Sequence, residues 1–262
     1  MAIETDITLY AHPFNGPNEA SITIAMSILD LQFKVITVDA SKEEHRQVWY
    51  RKLNPNSLDY EGSLPVITDT FPNGEILTLF ETGTILEYLA DRYDLESRIK
   101  PRDCLKSEMK VISWLYWSLG QFAPLLEQII KFDHYVATEQ TGSMYPLLTT
   151  YLLAAGDQQR DQQIADYLSN QSRRYFRILD DLILKSHGCM IGDRPTIADI
   201  ACVTWASLHN NKQPGNFLEE FPNVQRWLEN MIIWTGGRKG TTTGQLDAVS
   251  AKVLDLRITG ST

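Results

Sequence analysis

The sequence predicts an α+β fold in two domains, a small βαβ–ββα domain followed by an all-helical one. Three observations carry this. Two strand-like runs, Ile7–Tyr10 and Phe33–Val38, flank a segment from Asn18 with apolar residues at Ile22, Ala25, Met26 and Leu29, which is helical spacing. Two further strand-like runs, Pro65–Asp69 and Ile76–Phe80, are joined by Pro72-Asn73-Gly74, whose Asn-Gly pair is a hairpin signal. Beyond Asp103 the periodic segments are all helical.

In chain order, Ile7–Tyr10 alternates as a short strand, and Ala11–Pro17 reads as a loop rich in Pro, Asn and Gly. The first helix and the β-branched, aromatic run Phe33–Val38 complete a βαβ unit, which requires parallel strands. A polar stretch around Asn54-Pro55-Asn56 leads to the hairpin. Glu81-Thr82-Gly83-Thr84 then opens a helix with Ile85, Leu86, Leu89 and Tyr93 on one side, Thr84 and Glu87 having capping-box spacing. This order is that of a thioredoxin-like domain, expected over residues 1–93. Residues 94–103, charged and containing Pro101, read as a linker. The helical domain is expected over 104–235. It starts with one long helix, Leu105 to about Val136, bent at Pro124, which lacks the amide hydrogen a helix needs. A break at Thr138–Gly142 and an extra helix at Met144–Ala155 follow. Arg160–Ser186 presents Ile164, Tyr167, Leu168, Tyr175, Ile178, Leu179 and Leu182 inward. Thr196-Ile197-Ala198-Asp199 caps another helix, and Phe221–Trp234 is the next. The tail, 236–262, is rich in Gly and Thr and is expected to be flexible.

Composition narrows the function. Of 262 residues, 43% are hydrophobic, enough for a packed core, and no apolar run reaches membrane-spanning length. The net charge of -9 repels phosphates, which argues against nucleic acid and anionic membranes as partners. The N-terminus carries no signal-like pattern. Cys104, Cys189 and Cys202 are odd in number and widely spaced, with no CxxC. They fit neither a disulfide framework nor a metal site, so a reducing, cytoplasmic setting is expected, with each cysteine a buried small hydrophobe.

Three features suit the binding of a thiol tripeptide. Glu81-Thr82, at a strand-to-helix junction, could receive an amino-acid end: helix amides favour its carboxylate, the Thr82 hydroxyl adds a hydrogen bond, and the Glu81 carboxylate pairs with its ammonium. If Leu64-Pro65 were cis, the backbone of Leu64 would face outward, where an extended peptide can lie alongside. Asn18, at a helix start, could donate to a thiolate and lower its pKa. Each has an ordinary reading too: a solvated cap, a trans-proline at a strand start, a helix N-cap.

Taken together, Leu9-Tyr10, Gly16-Pro17-Asn18, His45-Arg46, Asn54-Pro55-Asn56, Leu64-Pro65-Val66, Glu81-Thr82-Gly83, Trp114-Leu115, Ala123-Pro124 and Gly192-Asp193 with Thr196–Asp199 recur in the order found in cytosolic glutathione transferases. The chain resembles that superfamily over residues 6–235, and most closely the fungal branch that includes the yeast nitrogen-regulator prion protein and its bacterial relatives. The resemblance implies glutathione as co-substrate, no metal, a homodimer, and an apolar electrophilic small molecule, plausibly an intermediate of fungal secondary metabolism. It implies a transferase that conjugates glutathione, with glutathione-assisted cis-trans isomerisation as a variant. The alternative is a glutathione-binding regulatory protein with little turnover. Carried over residue by residue, Asn18 approaches the sulfur, His45 the glycyl end, Leu64 with Pro65 the peptide, and Glu81 with Thr82 the γ-glutamyl end. The glycine that follows the asparagine in the family is Glu19 here, which leaves Ser21 as a rival thiol partner, and the basic residue before the cis-proline is missing, which leaves His45 or Lys52 for the glycyl carboxylate. On the long helix, Tyr116, Trp117, Gln121, Phe122 and Lys131 are the expected electrophile-binding residues.

Overall fold

The computed structural model describes residues 3–13, 16–39, 42–57, 64–138, 158–212 and 217–236. The expected extra helix at Met144–Ala155 and the tail from residue 237 lie outside them.

Four strands form one mixed sheet in the order β2-β1-β3-β4. They are β1 (Ile3–Ala11), β2 (Leu31–Thr37), β3 (Val66–Thr70) and β4 (Ile76–Phe80). β1 runs parallel to β2 and antiparallel to β3, and β3 runs antiparallel to β4. β1 starts four residues before its apolar alternation does. Its polar opening, Glu4-Thr5-Asp6, is held by ties to β2: Ile3 pairs with Leu31, Thr5 bonds to the Gln32 carbonyl, and Asp6 meets Lys34. Alternation resumes with Ile7, Leu9 and Ala11 buried.

Between β1 and β2, α1 (Pro17–Ile28) opens with proline at its first position, where a missing N–H costs nothing. The apolar stripe at Ile22, Ala25, Met26 and Leu29 is buried, and so are Ala20, Ser21, Thr23, Ile24 and Ile28. α1 is buried on nearly all sides because it packs on both the sheet and the helical domain. A 3₁₀ turn (Glu44–Arg46) and a short helix α2 (Val48–Arg51) lead toward β3, and the Leu64–Pro65 peptide preceding β3 is cis. α3 (Thr82–Tyr93) follows β4 directly. Its N-cap is Glu81, three residues ahead of Thr84, so the Thr84–Glu87 pair lies inside the helix and does not start it.

The 94–103 stretch is an ordered strap. The buried Asp94 carboxylate accepts the N–H groups of Arg98, Ile99 and Lys100, and the Ile99 carbonyl accepts from Ile197 in the helical domain. Lys100, also buried, lies against Asp91, Glu108 and Glu87. Burial works against its charge, but Asp91 and Glu108 prevail and hold its pKa above the ordinary range.

The expected single long helix is two: α4 (Leu105–Trp117) and α5 (Ala123–Thr138), joined by a π-helical turn over Ser118–Phe122. Pro124 has no N–H for the Gly120 carbonyl, and the chain accommodates the missing rung by widening just before it. α6 (Gln158–Lys185), α7 (Ile197–Lys212), a 3₁₀ turn (Phe217–Glu220) and α8 (Pro222–Gly236) complete the domain. On α6, Leu168, Phe176, Leu179 and Ile183 are buried, while Tyr167, expected inside, is exposed. Asp199 caps α7 as expected, accepting the N–H and hydroxyl of Thr196, the N–H of Met190 and the indole N–H of Trp227. Cys189 and Cys202 are buried, but Cys104 is exposed at the start of α4, bonded to the Ser107 hydroxyl. No helix among the described residues is long and apolar enough to cross a membrane, and no group among them of three or more His, Cys, Asp or Glu could hold a metal ion.

Candidate active site

A cleft of about 130 Å³ opens where the two domains meet. Asn18 from α1 and Glu81, Thr82 and Gly83 from the β4–α3 junction form its thioredoxin-like side. Leu119 from the π turn, Ala123, Pro124 and Glu127 from α5, and Trp205 from α7 form its helical side. Two segments far apart in sequence that were singled out for glutathione, Asn18 and Glu81-Thr82, therefore face one space.

The junction is built for an anion beside a carboxylate. The first backbone bond of α3 runs from the Ile85 N–H to the Glu81 carbonyl, so the amides of Thr82, Gly83 and Thr84 have no partner within the helix. Thr82 is buried beneath them, and Glu81 is exposed. Glu81 has φ 69° and ψ 123°, in the left-handed half of backbone space where a side chain costs about 1–3 kcal/mol. Gly83 lets the π turn come close: a Cβ there would sit 2.8 Å from Leu119 Cδ1. Leu64 lies two residues before Val66, the first residue of the β3 ladder, across the cis bond to Pro65.

Asn18 occupies the first turn of α1, and its side-chain carbonyl accepts the Trp205 indole N–H at 3.1 Å. Ser21, one turn on, points elsewhere. Its hydroxyl is buried in the seam with α7, within 3.0 Å of the Thr204 hydroxyl and the Pro17 carbonyl and 3.2 Å of the Ile200 carbonyl. That environment occupies the Ser21 proton, and Ser21 does not line the cleft.

Glu19, which stands where the family pattern has glycine, folds back under the β1–α1 loop. Its carboxylate accepts backbone N–H groups of His12 and Gly16. Burial pushes its pKa up while those N–H groups pull it down. Gly16 leaves room for this, since a Cβ there would lie 2.8 Å from Glu19 Oε2. The Glu19 side chain thus ties His12 to Gly16, and Asn18 still lines the cleft.

His45 is buried in the 3₁₀ turn, and burial, with Arg46 beside it, holds its pKa below the ordinary range. Lys52 is exposed at the end of α2. Neither is among the cleft residues. The expected electrophile-binding set disperses. Tyr116 is exposed and its hydroxyl donates to Glu87 on α3. Phe122 is fully buried, stacked on Trp117, which also meets Trp114 and Tyr175 edge-on. Gln121 is exposed and accepts from the Tyr175 hydroxyl. Lys131 pairs at 3.1 Å with Glu127, a cleft residue one turn away on α5, and does not itself line the cleft. The π turn changes the facing of the residues after Ser118 relative to a continuous α-helix, and Leu119 rather than Phe122 lines the opening.

Trp205, Leu119 and Glu127 are the cleft residues the sequence reading does not single out. Trp205 carried a usable signal. It is the one large aromatic residue in α7, among Ala, Cys, Val, Thr and Ser, and its indole N–H needs a partner when buried.

The cleft lies between the two domains, and comparison with known proteins shows the class of both. The model of the glutathione S-transferase N-terminal domain matches residues 5–91, and that of the C-terminal domain matches residues 143–233. The disulfide-bond oxidoreductase YfcG of Escherichia coli is 27% identical over 241 residues, covering 91% of this chain and 93% of that protein. Glutathione S-transferase 1 of Schizosaccharomyces pombe is 27% identical over 238 residues, covering 86% and 90%. Among solved structures, the glutathione transferase URE2P6 of Phanerochaete chrysosporium, in complex with oxidised glutathione, superposes with a TM-score of 0.73 at 23% identity, covering 95% of this chain and 98% of that one. The chain belongs to the glutathione S-transferase superfamily, with Ure2-like proteins among its relatives.

Proposed function

We propose that the protein is a glutathione transferase that binds glutathione across the Asn18–Glu81 side of the cleft and delivers its sulfur to an electrophile held against the helical side. The observation that carries this reading is the convergence of Asn18, Glu81, Thr82 and the free α3 amides on one opening between the domains. Residues 1–93 hold glutathione in this scheme and 104–235 receive the electrophile. Glu81 takes the γ-glutamyl ammonium, and Thr82 with the α3 amides takes its carboxylate. The backbone of Leu64, beside Pro65, lies along the peptide. His45 and Lys52 stand outside the cleft and are the remaining candidates for the glycyl end.

Bound glutathione supplies the thiol. Asn18 stabilises the thiolate with its amide but cannot remove a proton, because a side-chain amide is not a base. Ser21, its proton occupied in the seam, leaves this role to Asn18. Leu119, Pro124 and the Trp205 ring offer an apolar wall suited to a flat hydrophobic electrophile, in place of the Tyr116–Phe122 face. The electrophile in this scheme is an intermediate of secondary metabolism, a choice that rests on the family resemblance, for conjugation or for isomerisation through transient thiolate addition.

A second reading, thiol–disulfide exchange between glutathione and a disulfide, is favoured by the disulfide-bond oxidoreductase of E. coli among the relatives and by the oxidised glutathione in the fungal structure. The same site would serve it, with the disulfide in place of the carbon electrophile.

The test is the pH–rate profile with a chlorodinitrobenzene electrophile and, in parallel, with a mixed disulfide. Asn18→Ala lowers turnover at neutral pH by about tenfold and recovers in alkali, where the thiol ionises unaided; Ser21→Ala changes the profile little. Saturable glutathione binding with no turnover on either substrate would contradict the enzymatic reading in favour of a regulatory one.

A further inference from the structure

The seam between the domains is pinned at two successive turns of α1. Ser21 bonds to Ile200 and Thr204 of α7, and Asn18, three residues earlier on the same face, accepts the Trp205 indole N–H. The first contact sets the register of the two helices. The second acts directly on a group in the cleft.

An asparagine amide can be turned two ways. With its carbonyl toward the cleft it offers an acceptor, which repels a thiolate; with its NH₂ toward the cleft it offers two donors. An indole N–H can only donate, so a buried tryptophan tip facing Asn18 tolerates only the carbonyl. Trp205 is 6% exposed, leaving its N–H little access to water as an alternative partner. Accepting that bond also polarises the amide and makes its remaining N–H a better donor.

We propose that Trp205 is a positioning residue for thiol activation: its indole N–H locks the Asn18 amide with the carbonyl inward and the NH₂ presented to the glutathione sulfur. This rests on the reading that Asn18 faces the sulfur. It adds that the helical domain, through one residue of α7, sets the acidity of a thiol bound mainly by the other domain. A disturbance of the α1–α7 seam would then reach the chemistry without altering any residue that contacts glutathione.

The test measures the pKa of enzyme-bound glutathione from thiolate ultraviolet absorbance, with glutathione affinity by calorimetry. Trp205→Phe keeps an aromatic ring in the seam and removes only the N–H. It raises the bound thiol pKa by about half a unit, a loss of roughly threefold in thiolate at neutral pH, with affinity nearly unchanged. Asn18→Ala raises it at least as far, and Trp205→Phe in that background adds nothing, because the two act as a unit. A merely structural role for Trp205 would lower affinity and melting temperature and leave the pKa alone. An unmoved pKa in Trp205→Phe, where Asn18→Ala does move it, overturns the proposal and spares the Asn18 reading; an unmoved pKa in Asn18→Ala overturns both. A second measurement needs no variant. The Trp205 indole proton, followed by NMR, stays protected from solvent exchange when glutathione binds, and its loss of protection on binding would overturn the proposal as well.

Discussion

Glu81 combines two opposed demands. Its backbone, at φ 69°, suits glycine, and its position at the mouth of the cleft suits a carboxylate. A charged side chain where glycine would relax the turn agrees with the proposed role of Glu81 in binding. Glu81→Gly should therefore raise stability by about 1 kcal/mol in denaturant unfolding, strain relief outweighing the added freedom of the unfolded chain, while glutathione binding weakens. A variant that loses both stability and affinity would show that the conformation is not strained. The sequence made Glu81-Thr82 and Asn18 legible because a strand-to-helix junction and a helix start are local features. The Asn18–Trp205 contact spans 187 residues and has no local trace. Ser21 stood as a rival to Asn18 in the sequence; only the position of α7 tells that the Ser21 hydroxyl is enclosed while Asn18 lines the opening.

The junction of α4 and α5 is the element whose form decides the electrophile side. Pro124 announced a bend, but a proline does not say how the preceding turn will compensate, and the π turn ahead of it leaves Leu119, not Phe122, at the cleft. Leu119 now stands over Gly83. Gly83→Ala should gain the helix propensity of alanine, about 1 kcal/mol, offset by the clash that pushes Leu119 toward the opening. The KM for a bulky electrophile should rise several-fold, with glutathione affinity and stability little changed. Leu119→Ala in the same chain should restore it, and steady-state kinetics on the two variants would show whether it does. The strands and α1 were legible because alternation and helical period are strong signals. The polar opening of β1 was not, since its pairing with β2 depends on Thr5 and Asp6 finding partners across the sheet.

At the scale of the whole molecule, the strap from Asp94 to Lys100 and the α1–α7 seam fix the cleft that neither domain would form alone. The two-domain order could be read from the change of period near residue 103; the rigidity of the strap could not, because a charged, Pro-containing stretch looks the same whether or not its aspartate caps three amides. Deeper in the helical domain, His209 is packed among Phe176 and Phe217, and burial, with Arg173 nearby, lowers its pKa to about 4. The unfolded chain takes up this proton near pH 6.5, and the folded protein only near pH 4. Stability is therefore whole above pH 6.5 and falls by about 3 kcal/mol as pH drops toward 4. His209→Phe should flatten that part of the curve, as thermal unfolding at a series of pH values would reveal; an unchanged slope would mean that other groups carry it. The family resemblance further implies a two-fold homodimer, and light scattering at micromolar concentration should give twice the chain mass.

The account depends most on glutathione occupying the Asn18–Glu81 side of the cleft. Calorimetric titration of glutathione into the wild-type protein and Glu81→Ala tests this directly. The wild type should bind saturably, and a folded Glu81→Ala should lose about 1.5–3 kcal/mol, roughly ten- to a hundredfold in affinity, as expected for a charge-assisted contact. Wild-type affinity in folded Glu81→Ala would contradict it.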